Sequence, residues 1–104
     1  MKHELKTKWI KALRSGKYRQ GRGRLKYGDR YCCLGVLRHI SDPKDTRHSS
    51  NTLTYEQMKD YGMDMHSPLH ILSNMNDGRE PTYGDKPGKK HSFAEIADYI
   101  EKNL

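Results

Sequence analysis

The side chains best equipped for chemistry in this chain are cations, and they are bunched. Arg14, Lys17, Arg19, Arg22, Arg24, Lys26 and Arg30 share one seventeen-residue stretch with a single acid, Asp29. That stretch carries +6 of the +7 net charge of the 104 residues, so the rest of the chain is close to neutral. Gly21, Gly23, Tyr18, Tyr27 and Tyr31 are interleaved with the cations. The chemistry this composition suits is recognition of an anion, phosphate above all. An arginine fork binds two phosphate oxygens at once. A backbone N–H beside a glycine can approach a third. Gln20 offers an amide to a base edge or a ribose, and the tyrosines offer faces on which a base can stack. The competing reading is a solvated basic hairpin that keeps the protein dispersed. The Gly21-Arg22-Gly23 triplet matches neither a dinucleotide fingerprint nor a P-loop.

Other chemistry is poorly supported. His66 and His70 are four apart and, with Cys32 or Cys33 and His39, could make up a zinc set. Their spacing fits no recognised finger, and Pro68 leaves His66 outside the helix that bears His70, so no metal site is expected. Cys32 or Cys33 with His39 could form a nucleophile and base, but both thiols sit in an apolar run, where a thiol is inert. Asp98 falls in mid-helix, and Asn76-Asp77-Gly78 reads as turn chemistry. No catalytic residue and no cofactor are expected; if the protein were an enzyme after all, a hydrolase or a Cys/His-based activity is the alternative. The adjacent cysteines are predicted to be reduced, at least one of them a small core residue.

The elements that must position the basic stretch follow from periodicity. Leu5, Trp9, Ala12 and Leu13 mark one face of a helix over 3–15 that stops at Gly16. Residues 17–33 read as extended, with a II′ turn at Gly28-Asp29 that sets Leu25 opposite Cys32 and Lys26 opposite Tyr31. Gln20-Gly21-Arg22-Gly23 fits a strand or a loop. Cys33, Val36, Leu37 and Ile40 give a helix over 33–40 that ends before Asp42-Pro43. A polar loop over 41–52 follows. Thr54 and Gln57 form a capping box for a helix that stops at Gly62. Ser67-Pro68 opens another short helix. Residues 78–91 read as an exposed loop. Ser92-Phe93-Ala94-Glu95 is a second capping box, and the last helix buries Phe93, Ile96, Ala97, Ile100 and Leu104. Trp9, Leu13, Leu37, Ile96 and Ile100 are expected to share one core.

At this length residues 1–104 make a single domain. With 33% hydrophobic residues the core must be small. The expected fold class is α+β: a mostly helical domain with one β-hairpin at about residues 17–33 packed beside four or five short helices. No apolar run nears the roughly 20 residues of a membrane span, and Met1-Lys2-His3-Glu4-Leu5 lacks a signal-peptide core. A soluble cytoplasmic protein with no membrane partner is expected.

Several blocks together resemble a family of small uncharacterised proteins of tailed bacteriophages and prophages. They are Trp9, Ala12-Leu13-Arg14-Ser15-Gly16-Lys17-Tyr18, Gln20-Gly21-Arg22-Gly23, Leu25, Asp29 and Tyr31-Cys32-Cys33-Leu34-Gly35-Val36-Leu37. Met75-Asn76-Asp77 and Ser92-Phe93, Ile96-Ala97-Asp98, Ile100-Glu101 complete the pattern. The order of the blocks matches across most of the chain. Residues 41–66 match weakly, and the family passes from its Asn-Asp pair to Ser-Phe within a few residues, so Gly78 to His91 stand out as an insertion. The resemblance implies a phage accessory protein in the cytoplasm of an infected bacterium, acting in host takeover or counter-defence, and no catalytic activity.

The expected ligand-binding set is Arg14, Lys17, Tyr18, Arg19, Gln20, Gly21, Arg22, Gly23, Arg24, Lys26, Tyr27 and Arg30. Its ligand would be a nucleic acid or a nucleotide messenger, the latter in a homo-oligomer, since one short chain scarcely encloses the necessary pocket. The alternative is an interaction module that uses the same charge to dock on and inhibit an acidic host protein.

Overall fold

The computed structural model describes residues 1–45, 53–63, 68–78 and 91–104. Among the described residues five helices carry the fold: α1 (His3–Arg14), α2 (Cys33–Ser41), α3 (Tyr55–Asp60), α4 (Pro68–Asp77) and α5 (Phe93–Asn103). A small sheet of three two-residue strands lies between α1 and α2 in sequence: β1 (Arg19–Gln20), β2 (Lys26–Tyr27) and β3 (Arg30–Tyr31). The α+β class is as the composition and periodicity imply. Most of the 78–91 loop, the end of the 41–52 loop, Ser67 and His66 lie outside the described residues.

The first and last helices form the main packing pair, with α1 also crossing α2 and α4 set against both α2 and α5. Trp9, Leu13, Leu37, Ile96 and Ile100 fall in one buried cluster, joined by Leu25, Leu34, Val36, Leu72 and Phe93. Trp9 is fully buried, and its indole N–H donates to the Cys33 carbonyl at 2.9 Å. A buried indole needs such a partner, so the largest core side chain also fixes how α1 meets the start of α2. Arg14 reaches across from the end of α1 to two acids on α5, Asp98 at 2.7 Å and Glu101 at 2.8 Å.

Local signals set most element ends. Both capping boxes form: Thr54 accepts from the Gln57 N–H while Gln57 accepts from the Thr54 N–H, and Ser92 and Glu95 do the same. Cys32 caps α2 in the same manner, its Sγ accepting from the Gly35 N–H at 3.3 Å. In the last turn of α2, the buried Arg38 lies 3.7 Å from Asp45, and Asp45 accepts from Gln57 at 2.7 Å. Tyr61 donates to Asp42. These contacts tie the end of α2 to α3.

The sheet corrects one expectation in part. The antiparallel pair is β2 with β3 only, in the expected register of Lys26 with Tyr31, around Gly28 at φ +60°. β1 does not extend that hairpin; it runs parallel to β3 on its other edge, pairing Arg19 with Arg30 and Gln20 with Tyr31. Residues 21–25 must therefore arch over the sheet from one edge to the other. Two contacts hold the end of that arch. Leu25 is fully buried and accepts from the Cys32 N–H at 3.2 Å. Gly35 lets α2 press on it, since a β-carbon there would lie 1.7 Å from the Leu25 carbonyl oxygen.

Candidate functional site

The arch 21–25 carries Arg22 and Arg24, and its geometry comes from a residue far away in sequence. Asn76, in the last turn of α4, is fully buried. Its Oδ1 accepts from Gln20 Nε2 at 3.0 Å and from the Cys33 N–H at 3.2 Å. Its Nδ2 donates to the Gly21 carbonyl at 2.8 Å and to Asp77 Oδ1 at 3.0 Å. An amide side chain has two donors and two acceptor lone pairs, and all are used. Asp77 Oδ1 also accepts from the Gly23 N–H at 3.1 Å. Gln20 donates a second time, to the His91 carbonyl, at 2.8 Å. Asn76 and Asp77 thus act as a template on which the glycine-spaced segment is laid. Reading them as a turn misses this role.

This template changes what several expected ligand residues do. The Gly21 N–H donates to the Tyr31 carbonyl at 2.7 Å and the Gly23 N–H to Asp77, so these two amides serve the fold and do not face an incoming phosphate. The Gln20 amide nitrogen is engaged twice inside the protein. Arg14 is engaged on α5, and the hydrogen bonds to Asp98 and then Glu101 hold its guanidinium above its ordinary pKa. Tyr18 and Tyr31 stand edge to face, 5.3 Å apart, and His39 completes the cluster at 5.6 and 5.4 Å. Partial burial raises the Tyr18 hydroxyl pKa. These two rings pack the base of the sheet against α2.

The outward face is made by the remaining members. Lys17, Arg22 and Arg24 are exposed, and the side chains of Lys17 and Arg22 make no hydrogen bond or ion pair among the described residues. Arg24 sits over the Tyr27 ring, 5.3 Å from its centroid, and Tyr27 is 64% exposed. Lys26 lies 5.9 Å over Tyr31. Arg19 pairs with Asp29 at 3.0 Å, which holds that carboxyl below its usual pKa. Both partners are largely exposed, so the pair is screened and adds little to stability. Arg30 reaches the Gln20 carbonyl only weakly, at 3.4 Å.

The thiols lie beneath this face. Burial pushes Cys32 up to about 11 and Cys33 well above its ordinary value. Both are free and protonated at neutral pH. No three His, Cys, Asp or Glu side chains converge on a possible metal position among the described residues. Two clefts stand away from the arch, one along α1 beside Glu101 and one between the end of α2 and α3. Residues 17–30 line neither of them.

The chain belongs to the family described as a domain of unknown function (DUF8296), whose model matches residues 1–68. The matched region holds α1, the sheet, α2 and α3; Asn76, Asp77 and α5 lie beyond it. No curated protein and no solved structure matches the chain.

Proposed function

We propose that this DUF8296 member binds a phosphate-bearing ligand, a single-stranded nucleic acid in the first instance, on the outward face of residues 17–30. The supporting observation is the template behind that face. A basic loop serving only solubility needs no buried amide satisfied on all four sides. A loop that must present Arg22 and Arg24 in fixed positions gains from one, because ordering done in advance is not charged against binding. Arg22, Arg24, Lys17 and Arg19 supply phosphate contacts, and Tyr27 supplies a ring at the hairpin tip. The face is open, which suits a polymer. A nucleotide messenger held on this face would need a second copy of the chain to enclose it. The resemblance to phage proteins supports a setting in an infected bacterium, with the activity directed against the host.

The test is fluorescence anisotropy with a labelled 20-nucleotide single strand across a salt series. Lys17/Arg22/Arg24→Ala is compared with Lys44/Lys59/Lys102→Ala, which removes the same charge elsewhere. The first variant should lower the log–log salt slope by about 2, at about 0.7 per lost contact, and the second should lower it far less. Equal losses would reduce the binding to diffuse attraction. No loss in either, with one host protein retained at fixed stoichiometry, would move the function to protein docking.

A further inference from the structure

The cleft along α1 has a composition that the basic arch does not explain. It encloses about 620 Å³ and is lined by His3, Lys6, Thr7, Ile10, Lys11 and Arg14 of α1, with Ser15 and Glu101 closing one end. The α1 positions recur at i, i+3, i+4, i+7, i+8 and i+11, so they form one stripe running the length of the helix, about 16 Å. This stripe is separate from the core-facing one that carries Trp9 and Leu13.

The polar groups of the wall are largely satisfied within the protein. Thr7 donates its hydroxyl to the His3 carbonyl at 3.1 Å, and Ser15 donates to the Ala12 carbonyl at 2.6 Å. Arg14 is taken by Asp98 and Glu101. Lys6 reaches the Glu101 carbonyl at 3.4 Å. What faces the cleft is therefore mostly carbon: Ile10, half-buried against the core, and the methylene stems of Lys6, Lys11 and Arg14. The rim is cationic. Lys11 is exposed and its side chain has no partner among the described residues, while Glu101, the single acid in the lining, is already paired.

We propose that this cleft docks an acidic amphipathic helix of a partner protein. An apolar floor one helix long takes side chains at i, i+3 or i+4, and i+7 of a facing helix. A cationic rim selects acids on the flanks of that helix and repels bases. The same charge argues against a second copy of the chain, because α1 against α1 would set Lys11 and Lys6 beside their equivalents. The proposal does not rest on the phosphate-binding face, and the two fail separately.

The probe is a labelled fourteen-residue amphipathic peptide with leucines at helical spacing and glutamates between them; a twin carries lysines in place of the glutamates. Binding is followed by anisotropy, and the site is mapped by backbone amide shifts in the intact chain. Saturable binding of the acidic peptide, with shifts centred on Thr7, Ile10, Lys11 and Glu101, is the expected result. Lys11→Glu, an exposed change that leaves the core intact, should weaken it about fivefold or more. Lys59→Glu on α3 and Lys17/Arg22/Arg24→Ala should each change it less than about twofold. Equal affinity for both peptides, no saturation by about 1 mM, or shifts centred on residues 17–30 would overturn the proposal. So would dodecanoate or a chain dimer that occupies the same residues and displaces the peptide.

Discussion

Replacing Asn76 with alanine tests the template most directly. The change removes four hydrogen bonds but does not strand four groups. Gln20 keeps the His91 carbonyl, and Asp77 keeps the Gly23 N–H. Two groups are left without another partner: the Cys33 N–H, which is buried at the first turn of α2, and the Gly21 carbonyl. A buried donor without a partner costs about 1–3 kcal/mol, and a part-buried carbonyl about 1. The expected loss is thus about 3 kcal/mol, a large share of the 5–15 kcal/mol typical of a domain. With a urea m-value near 1.5 kcal/mol/M, the midpoint should fall by roughly 2 M. Asp77→Ala removes one exposed backbone contact and a shared bond to Asn76, and should cost under about 1 kcal/mol. Asn76→Asp should be worse than Asn76→Ala, because it turns a second acceptor toward the Gly21 carbonyl and Asp77. Hydrogen exchange supplies the local readout: in a variant still folded, the Cys33 and Gly23 amides should lose protection before those of α5. The reasoning is falsified if Asn76→Ala and Asp77→Ala shift the urea midpoint equally. Oligonucleotide binding should also weaken in Asn76→Ala, although no charge has changed.

Two further outcomes follow from the packing beneath the arch. Gly35→Ala places a methyl 1.7 Å from the Leu25 carbonyl oxygen, which is backbone and cannot rotate away. The hairpin must then part from α2, and the variant should lose several kcal/mol or fail to fold; an unchanged thermal midpoint would show that the two elements do not touch. The cysteines make stability depend on alkaline pH. The folded Cys32 pKa of about 11 lies above its ordinary 9.0, so the fold favours the protonated thiol. That contribution is complete below about pH 9 and is lost as pH rises from 9 toward 11. The stability advantage of the wild type over Cys32→Ala should shrink over that interval, and a constant difference would refute the burial of this thiol.

Much of the fold was legible because its codes are short. A capping box spans four residues, and both boxes form where Thr54-Gln57 and Ser92-Glu95 indicate. The turn at Gly28 fixed the β2–β3 register from two residues. The core was legible from spacing alone, down to Trp9 and Ile100. What escaped is long-range and polar. Nothing near Arg19-Gln20 says that two residues will pair parallel with β3, since that depends on where the arch returns. Asn76 and Gln20 are 56 residues apart, and an Asn-Asp-Gly run has a sufficient local meaning as a turn. For the same reason the basic stretch was legible as charge but not as geometry. Its sequence does not distinguish Arg14, committed to α5, from Arg22, which faces outward.

The pairing of α1 with α5 has a consequence for biosynthesis. Arg14 and Asp98 are 84 positions apart, and the apolar face of α1 finds its principal cover in the last helix of the domain. At ordinary elongation rates of about 5–20 residues per second, α5 is made roughly 4–17 s after α1. Throughout that time Trp9 and Leu13 lack the part of their cover that α5 supplies. Packing of α1 on α2 can begin earlier, and the core is complete only once α5 is made. A ribosome stalled before residues 93–103 would hold a chain whose core lacks Phe93, Ile96, Ala97 and Ile100.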